Sequence, residues 1–169
     1  MKQQAEQNDA PSAAAIAERA LSLMNEAMFT VALQRRRLRS VEPEDTVFIF
    51  RQWADFQFFI VALRRLRRAA ELACRVPSAA DKVTLAIKTF DGALPGFSTM
   101  RNVGEHIDDY AVQNPGRRYK KIDRKMLQVG SWNENVFVWL GGALDLDHAL
   151  KAAEDLCLTA RSALKRAAM

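Results

Sequence analysis

Thr46-Val47-Phe48-Ile49-Phe50-Arg51-Gln52-Trp53-Ala54-Asp55-Phe56-Gln57-Phe58-Phe59-Ile60-Val61-Ala62-Leu63 opens the longest stretch of helical character in the chain, which runs on to Arg75 without a Pro or a Gly. At 1.5 Å per residue it would reach roughly 45 Å. Its first half is apolar almost all round, the pattern of a helix buried on more than one side. Arg51, Gln52, Asp55 and Gln57 make it too polar for a membrane span. In a bundle of this size some of those apolar faces meet solvent unless a second copy covers them, or unless the chain's own helices wrap them. Both arrangements fit the pattern.

Outward from this helix, the same periodicity recurs. Ala13–Ser40 carries Ile16, Ala20, Leu23, Ala27, Val31 and Leu38 at helical spacing. Val41-Glu42-Pro43-Glu44-Asp45 breaks it, and Asp45 is the expected N-cap of the second helix. Pro77-Ser78 restarts the pattern as a third helix, Ala79–Leu94, with Val83, Leu85, Ile87 and Phe90 facing inward and Pro95-Gly96 as its stop. Ser98 or Thr99 offers a cap for a fourth helix, Met100 to about Val112, which Asn114-Pro115-Gly116 ends. Met126–Trp132 and Val136–Leu140 are β-prone around a turn at 130–135, which predicts a short hairpin. Asp145 or Asp147 then caps a last helix to about Arg166, with Leu150, Ala153, Leu156, Leu158 and Ala163 in its apolar pattern. The expected fold is all-α: an up-and-down helical bundle of about five helices, with a small β-hairpin insert before the last. Residues 1–12 read as a disordered tail and 13–169 as a single helical domain.

Composition narrows the function class. With 169 residues, 49% of them apolar, the chain suits one domain with a real core. The net charge of +5 is unevenly spread. Arg35, Arg36, Arg37 and Arg39 form one cluster, and Arg64, Arg65, Arg67 and Arg68 a second. Arg117, Arg118, Lys120, Lys121, Arg124 and Lys125 form a third. These three short windows hold 14 of the 25 basic residues, which favours a polyanionic partner. Cys74 and Cys157 sit in helical apolar patterns without a CxxC, and read as two buried, reduced thiols of a cytoplasmic protein. Met1–Ser12 has no apolar stretch of the signal-peptide kind, so export is not expected. No glycine-rich phosphate loop and no carboxylate cluster at metal-ligand spacing occurs, so neither cofactor nor metal is expected.

The chemistry-bearing stretch is Arg101-Asn102-Val103-Gly104-Glu105-His106, in the fourth helix. A neutral imidazole takes and returns protons near pH 7, and a guanidinium beside it holds an anion. Phosphodiester chemistry without a metal needs those groups. Asn102 and His106, four apart, share a helix face that Asp109 and Tyr110 extend. Arg101 and His106 are about 140° apart round the cylinder. Gly104 suits a place where another backbone packs closely, such as a helix-to-helix dimer seam. The bland alternative is a surface ion pair between Arg101 and Glu105, with His106 a hydrogen-bonded bundle histidine. His148 lacks the preceding arginine and reads as a surface or capping residue. Trp132 and Trp139, beside the third basic cluster, either contact unpaired bases or cover the end of the bundle.

An arginine followed by a polar residue, three more positions and a histidine, in a late helix of an all-α bundle, resembles the signature of the HEPN superfamily. The continuation His106-Ile107-Asp108-Asp109-Tyr110 and the segment Leu144-Asp145-Leu146-Asp147 look like a group of bacterial proteins with this arrangement. The resemblance covers the hexapeptide and the helix order. It implies a metal-independent endoribonuclease of toxin or defence type, acting as a homodimer whose two motif copies meet, with an antitoxin or regulator protein as a further partner. It implies His106 as the proton-transfer residue, Arg101 as the holder of the scissile phosphate and Asn102 as a positioning group. Arg117, Arg118, Lys120, Lys121 and Arg124 would bind RNA. Non-catalytic relatives that bind RNA, nucleotides or partner proteins imply the alternative, a binding module.

Overall fold

The computed structural model describes residues 10–47, 49–111, 122–128 and 130–167. Among them the fold is mostly helical, with a small antiparallel sheet before the last helix. Helix α1 (Ala13–Arg39) starts at Ser12, whose hydroxyl accepts from the Ala15 amide at 3.2 Å. It ends at Ser40, after a last turn rich in arginine. A 3₁₀ turn, Pro43–Thr46, leads into α2 (Phe50–Ala73). Helices α3 (Ala80–Ala93), α4 (Phe97–Glu105) and α5 (Ile107–Ala111) follow. Strands β1 (Ser131–Asn133), β2 (Val136–Trp139) and β3 (Gly142–Asp145) precede α6 (Leu146–Ala167).

Helix α2 lies at the centre of the packing, against α1 along most of its length and against α3, α4 and α6. Phe56, Phe59, Ile60, Leu63 and Leu66 are buried from it; Met24 and Val31 of α1, Phe90 of α3, and Leu156 and Leu164 of α6 are buried with them. Burial of this many large side chains, each contributing about 1.5–3 kcal/mol, is what holds the helices together. The N-terminal half of α2 is covered by the sheet. Phe137 stacks on Phe56 with ring centroids 3.7 Å apart, and Trp139 meets Trp53 edge-on at 4.8 Å. Trp132 packs against the same core from β1. The tryptophans therefore cover the bundle's end, and Trp139, 1% exposed, is withdrawn from any base-stacking role.

Ion pairs staple the helix ends. Arg51 donates to Asp45 through Nε (2.9 Å) and Nη2, to Asp55 through Nη1 (3.1 Å), and to the carbonyls of Arg37 and Ser40 (2.8 Å each). Asp55, the buried charged residue of α2, also accepts from Arg37 Nε at 2.8 Å. Hydrogen bonding to Arg51 holds the Asp45 carboxyl below the usual carboxylate range, and Asp45 in turn raises Arg51. At the other end of the sequence, Arg35 and Arg39 both grip Asp147 in the first turn of α6, and Arg35 leads in lowering its carboxyl. Arg67 bridges α2 to α3 through Asp91 at 2.6 Å and also pairs with Glu71, and both bonds raise its pKa.

Several expected details differ. Asp45 does not cap α2; its carboxylate is bound by Arg51 and by the Glu42 amide (2.8 Å), and α2 begins only at Phe50. Neither Ser98 nor Thr99 caps the fourth helix, which starts at Phe97 behind Gly96. That glycine takes φ 84°, a left-handed backbone that Gly reaches without steric strain. The hairpin is a three-stranded meander, because Leu140 and Gly141 (φ 56° and 74°) make a tight turn into a further strand. Residues 124–127 form a 3₁₀ turn rather than part of a strand. Leu85 and Leu158 are 66% and 60% exposed, on the outer faces of their helices. Asp145 does cap α6, accepting from the His148 amide at 2.8 Å. Cys157 is buried and Cys74 half-buried, both free thiols. Among the described residues no helix is long and apolar enough to cross a membrane.

Candidate functional site

Helix α4 is anchored on the core by Phe97, Met100 and Val103, all buried, which turns Arg101, Asn102 and Glu105 outward by helical geometry. Arg101 Nη1 donates to Glu105 Oε2 at 2.7 Å, the pairing that i,i+4 spacing predicts. Arg101 is only 15% exposed despite its charge, because it lies along the groove between α4 and α2.

At His106 the helix stops. Its backbone (φ −131°, ψ 37°) leaves the helical region, and its amide is shared between the carbonyls of Asn102 (3.2 Å) and Val103 (3.3 Å). The expected single helix is thus two, α4 and α5, with the imidazole at the break. The helical face predicted to run from Asn102 through His106 to Tyr110 is interrupted there. Asn102 and His106 are exposed, while Tyr110 is buried. Within one copy the structure does not bring Arg101 and His106 to a common cavity, since His106 does not line the groove that holds Arg101.

That groove has a volume of about 250 Å³. Trp53, Gln57, Phe58 and Val61 of α2 form one wall; Arg101 and Gly104 of α4 form the other, with Ile107 at the end. Gly104 leaves room for the Gln57 amide, since a Cβ there would meet Gln57 Oε1 unless that side chain shifted. Phe58 is 60% exposed and Ile107 42%, so the groove opens onto an apolar patch. One turn beyond Val61, Arg64 continues the α2 face. Burial lowers the Arg64 pKa, and the positive charges of Arg101, Arg67 and Arg68 lower it further, with Glu71 opposing. In the sequence Arg64 reads only as a member of the second basic cluster and Gln57 only as a polar residue of the second helix, neither as part of the candidate site. Their separation of seven, two helical turns, is the only local sign that they share a face.

Of the residues expected to bind RNA, Arg124 is exposed in the 3₁₀ turn Arg124–Leu127. Arg117, Arg118, Lys120 and Lys121 lie outside the described residues. Among the described residues no group of three or more His, Cys, Asp or Glu is placed to hold a metal ion. A second cleft, of about 370 Å³, runs between α3 and α6 over Leu85, Phe90 and Leu156. His148 stands at its edge, its Nε2 at 3.0 Å from the Ala93 carbonyl oxygen. Comparison with family models, curated proteins and solved structures gives no match.

Proposed function

We propose that this chain is a HEPN-like, metal-independent endoribonuclease of toxin or defence type, cytoplasmic and active as a homodimer. The observation that carries the reading is the position of the Arg101-Asn102-x-x-x-His106 motif. It lies on the helix pair flanking an exposed apolar patch of α2, with the imidazole freed at the α4–α5 break. A second copy set on Phe58 and Ile107 covers that patch and brings a second His106 and Arg101 to the seam.

RNA carries its own nucleophile, the ribose 2′-OH, so the protein supplies only proton transfer and charge stabilisation. One His106 takes the 2′-OH proton as the 2′-oxygen attacks phosphorus. The imidazolium of the twin gives a proton to the 5′-oxygen as the P–O5′ bond breaks. Arg101 stabilises the charge on the phosphoryl oxygens, and Asn102 orients one of the reacting groups. The products are a 2′,3′-cyclic phosphate and a 5′-hydroxyl. Purified protein is expected to cleave RNA in EDTA with these ends, and His106→Ala and Arg101→Ala each to abolish it. Intact RNA at high protein excess refutes the reading.

A second reading is favoured by one observation: Arg101 is paired with Glu105 at 2.7 Å, and His106 stands outside the groove. In that case the module binds RNA, or an antitoxin or regulator protein, without cleaving. RNA binding is then salt-dependent, weakens when Arg117, Arg118, Lys120 and Lys121 are neutralised, and is unmoved by His106→Ala.

A further inference from the structure

Two donors on the α4-facing side of α2 lack acceptors. Gln57 Nε2 and Arg64 Nε are buried, and neither finds a hydrogen-bond partner among the described residues. Unmet buried donors are costly and uncommon, and here two occur on one helix face, seven residues apart. Beside them stands a second guanidinium, Arg101, whose charge disfavours that of Arg64. The carboxylate in the groove wall, Glu105, is bound to Arg101 and is 45% exposed. Glu105 reaches this pair from the solvent side, so an incoming anion can displace or share it.

We propose that Gln57, Arg64 and Arg101 form a seat for one phosphodiester group at the end of the groove between α2 and α4, with Gln57 and Arg101 in its walls and Arg64 one turn of α2 beyond them. The proposal rests on the RNA-directed reading above and names the groups that hold the backbone. Two guanidiniums and one carboxylate leave a single positive charge, which matches the single negative charge of a phosphodiester. Arginine forks suit its paired oxygens, with a small turn of the Arg64 fork bringing Nε and Nη to bear. The Gln57 amide supplies a neutral donor from the same helix.

The test uses the full chain with two probes. The first is a 2′-O-methylated oligoribonucleotide, which has no nucleophile and so reports binding alone, followed by fluorescence anisotropy. The second is dimethyl phosphate at millimolar concentration, followed through the Arg64 Nε–Hε resonance. Arg64→Met keeps the apolar stem, removes the charge and relieves the repulsion from Arg101, so the fold should survive. Lys82→Met removes the same charge at the α3–α6 cleft and controls for net charge. Arg64→Met is expected to weaken oligonucleotide binding about ten- to hundredfold and to lower the salt slope by about one, with Lys82→Met near wild type. Arg64→Lys should recover only part, having lost the fork. If the oligonucleotide binds but Arg64→Met behaves like Lys82→Met, the seat is wrong while the RNA reading stands. If dimethyl phosphate shifts Arg64 but no oligonucleotide binds, the seat is right and the RNA reading falls. No response of Arg64 to either probe overturns the seat.

Discussion

Arg51→Ala should be among the most damaging single substitutions in the chain. The side chain joins three segments: the end of α1 through the Arg37 and Ser40 carbonyls (2.8 Å each), the 3₁₀ turn through Asp45, and α2 through Asp55. Truncation leaves two carbonyls and one carboxylate without this donor, and takes from the buried Asp55 one of its two cations. Asp55 is 3% exposed, and its remaining partner Arg37 is 54% exposed and so supplies a screened charge. Removing one member of a buried, hydrogen-bonded pair costs about 3–5 kcal/mol, mostly from the charge left behind. A domain with roughly 5–15 kcal/mol of stability loses a large share of it. Arg51→Lys should recover less than half, since a single ammonium cannot reach Asp45, Asp55 and two carbonyls together. Urea unfolding followed by far-ultraviolet circular dichroism gives the difference from the midpoint at constant slope. A loss below about 1 kcal/mol for Arg51→Ala would show that water and Arg37 satisfy Asp55 unaided, and the stapling argument would be wrong.

Three further outcomes are expected. Burial pushes the Cys157 thiol up, with Arg161 opposing; a thiol-specific disulfide reagent at pH 8 should therefore modify the half-buried Cys74 first and Cys157 only in urea. Hydrogen bonding from Arg51 to Asp45, and from Arg35 with Arg39 to Asp147, lowers both carboxyls; such groups add stability that is present above the unfolded value near 4 and is lost as pH falls through the lower folded value, so the urea midpoint should be level from about pH 7 to 5 and drop below about pH 4. On the proposed homodimeric ribonuclease, Phe58→Asp replaces a 60% exposed ring of the contact, so the monomer should fold normally, while light scattering should show half the wild-type mass and RNA cleavage should be lost; a wild-type protein already of monomer mass refutes the dimer, and an unchanged dimeric mass places the contact elsewhere.

Helices α1, α2, α3 and α6 were readable because each carries a long apolar stripe between Pro, Gly or Ser breaks, a local signal that tertiary packing had only to confirm. Their ends were harder. Asp45 looks like a cap until Arg51, six residues later, takes its carboxylate; no local pattern reveals which of the two bonds wins. The third strand was missed because Leu140-Gly141 makes the turn, while Gly141-Gly142 draws attention one residue late. The break at His106 has no proline to announce it; it is a tightening of the final turn of α4, where one amide serves two carbonyls. Within the candidate site, the Arg101–Glu105 pair followed from i,i+4 spacing alone. The nearness of Arg64 and Gln57 to that pair did not, because it depends on how α4 crosses α2, and a crossing is set by the fit of two side-chain surfaces far apart in sequence.

The basic clusters show how charge counted in a sequence is redistributed by folding. Read as a list, Arg35–Arg39 and Arg64–Arg68 are two equal invitations to a polyanion. In the folded chain the first is largely used internally: Arg35 and Arg39 hold Asp147, and Arg37 holds Asp55. A phosphate arriving there would have to displace carboxylates that also tie α1 to α6 and α2, so binding would oppose folding. In the second cluster Arg67 is likewise spent on Asp91 and Glu71. Arg64 differs, being partly withdrawn from water, beside another guanidinium, and with a donor left unmet. A cation in that state raises the energy of the unliganded protein, and an anion that relieves it gains affinity from the relief as well as from its own contacts. Net charge therefore points to a class of partner, while the ion pairs already made decide which cations remain to meet it. Among the described members of these two clusters, that selection favours Arg64, beside Arg101 at the end of the α2–α4 groove.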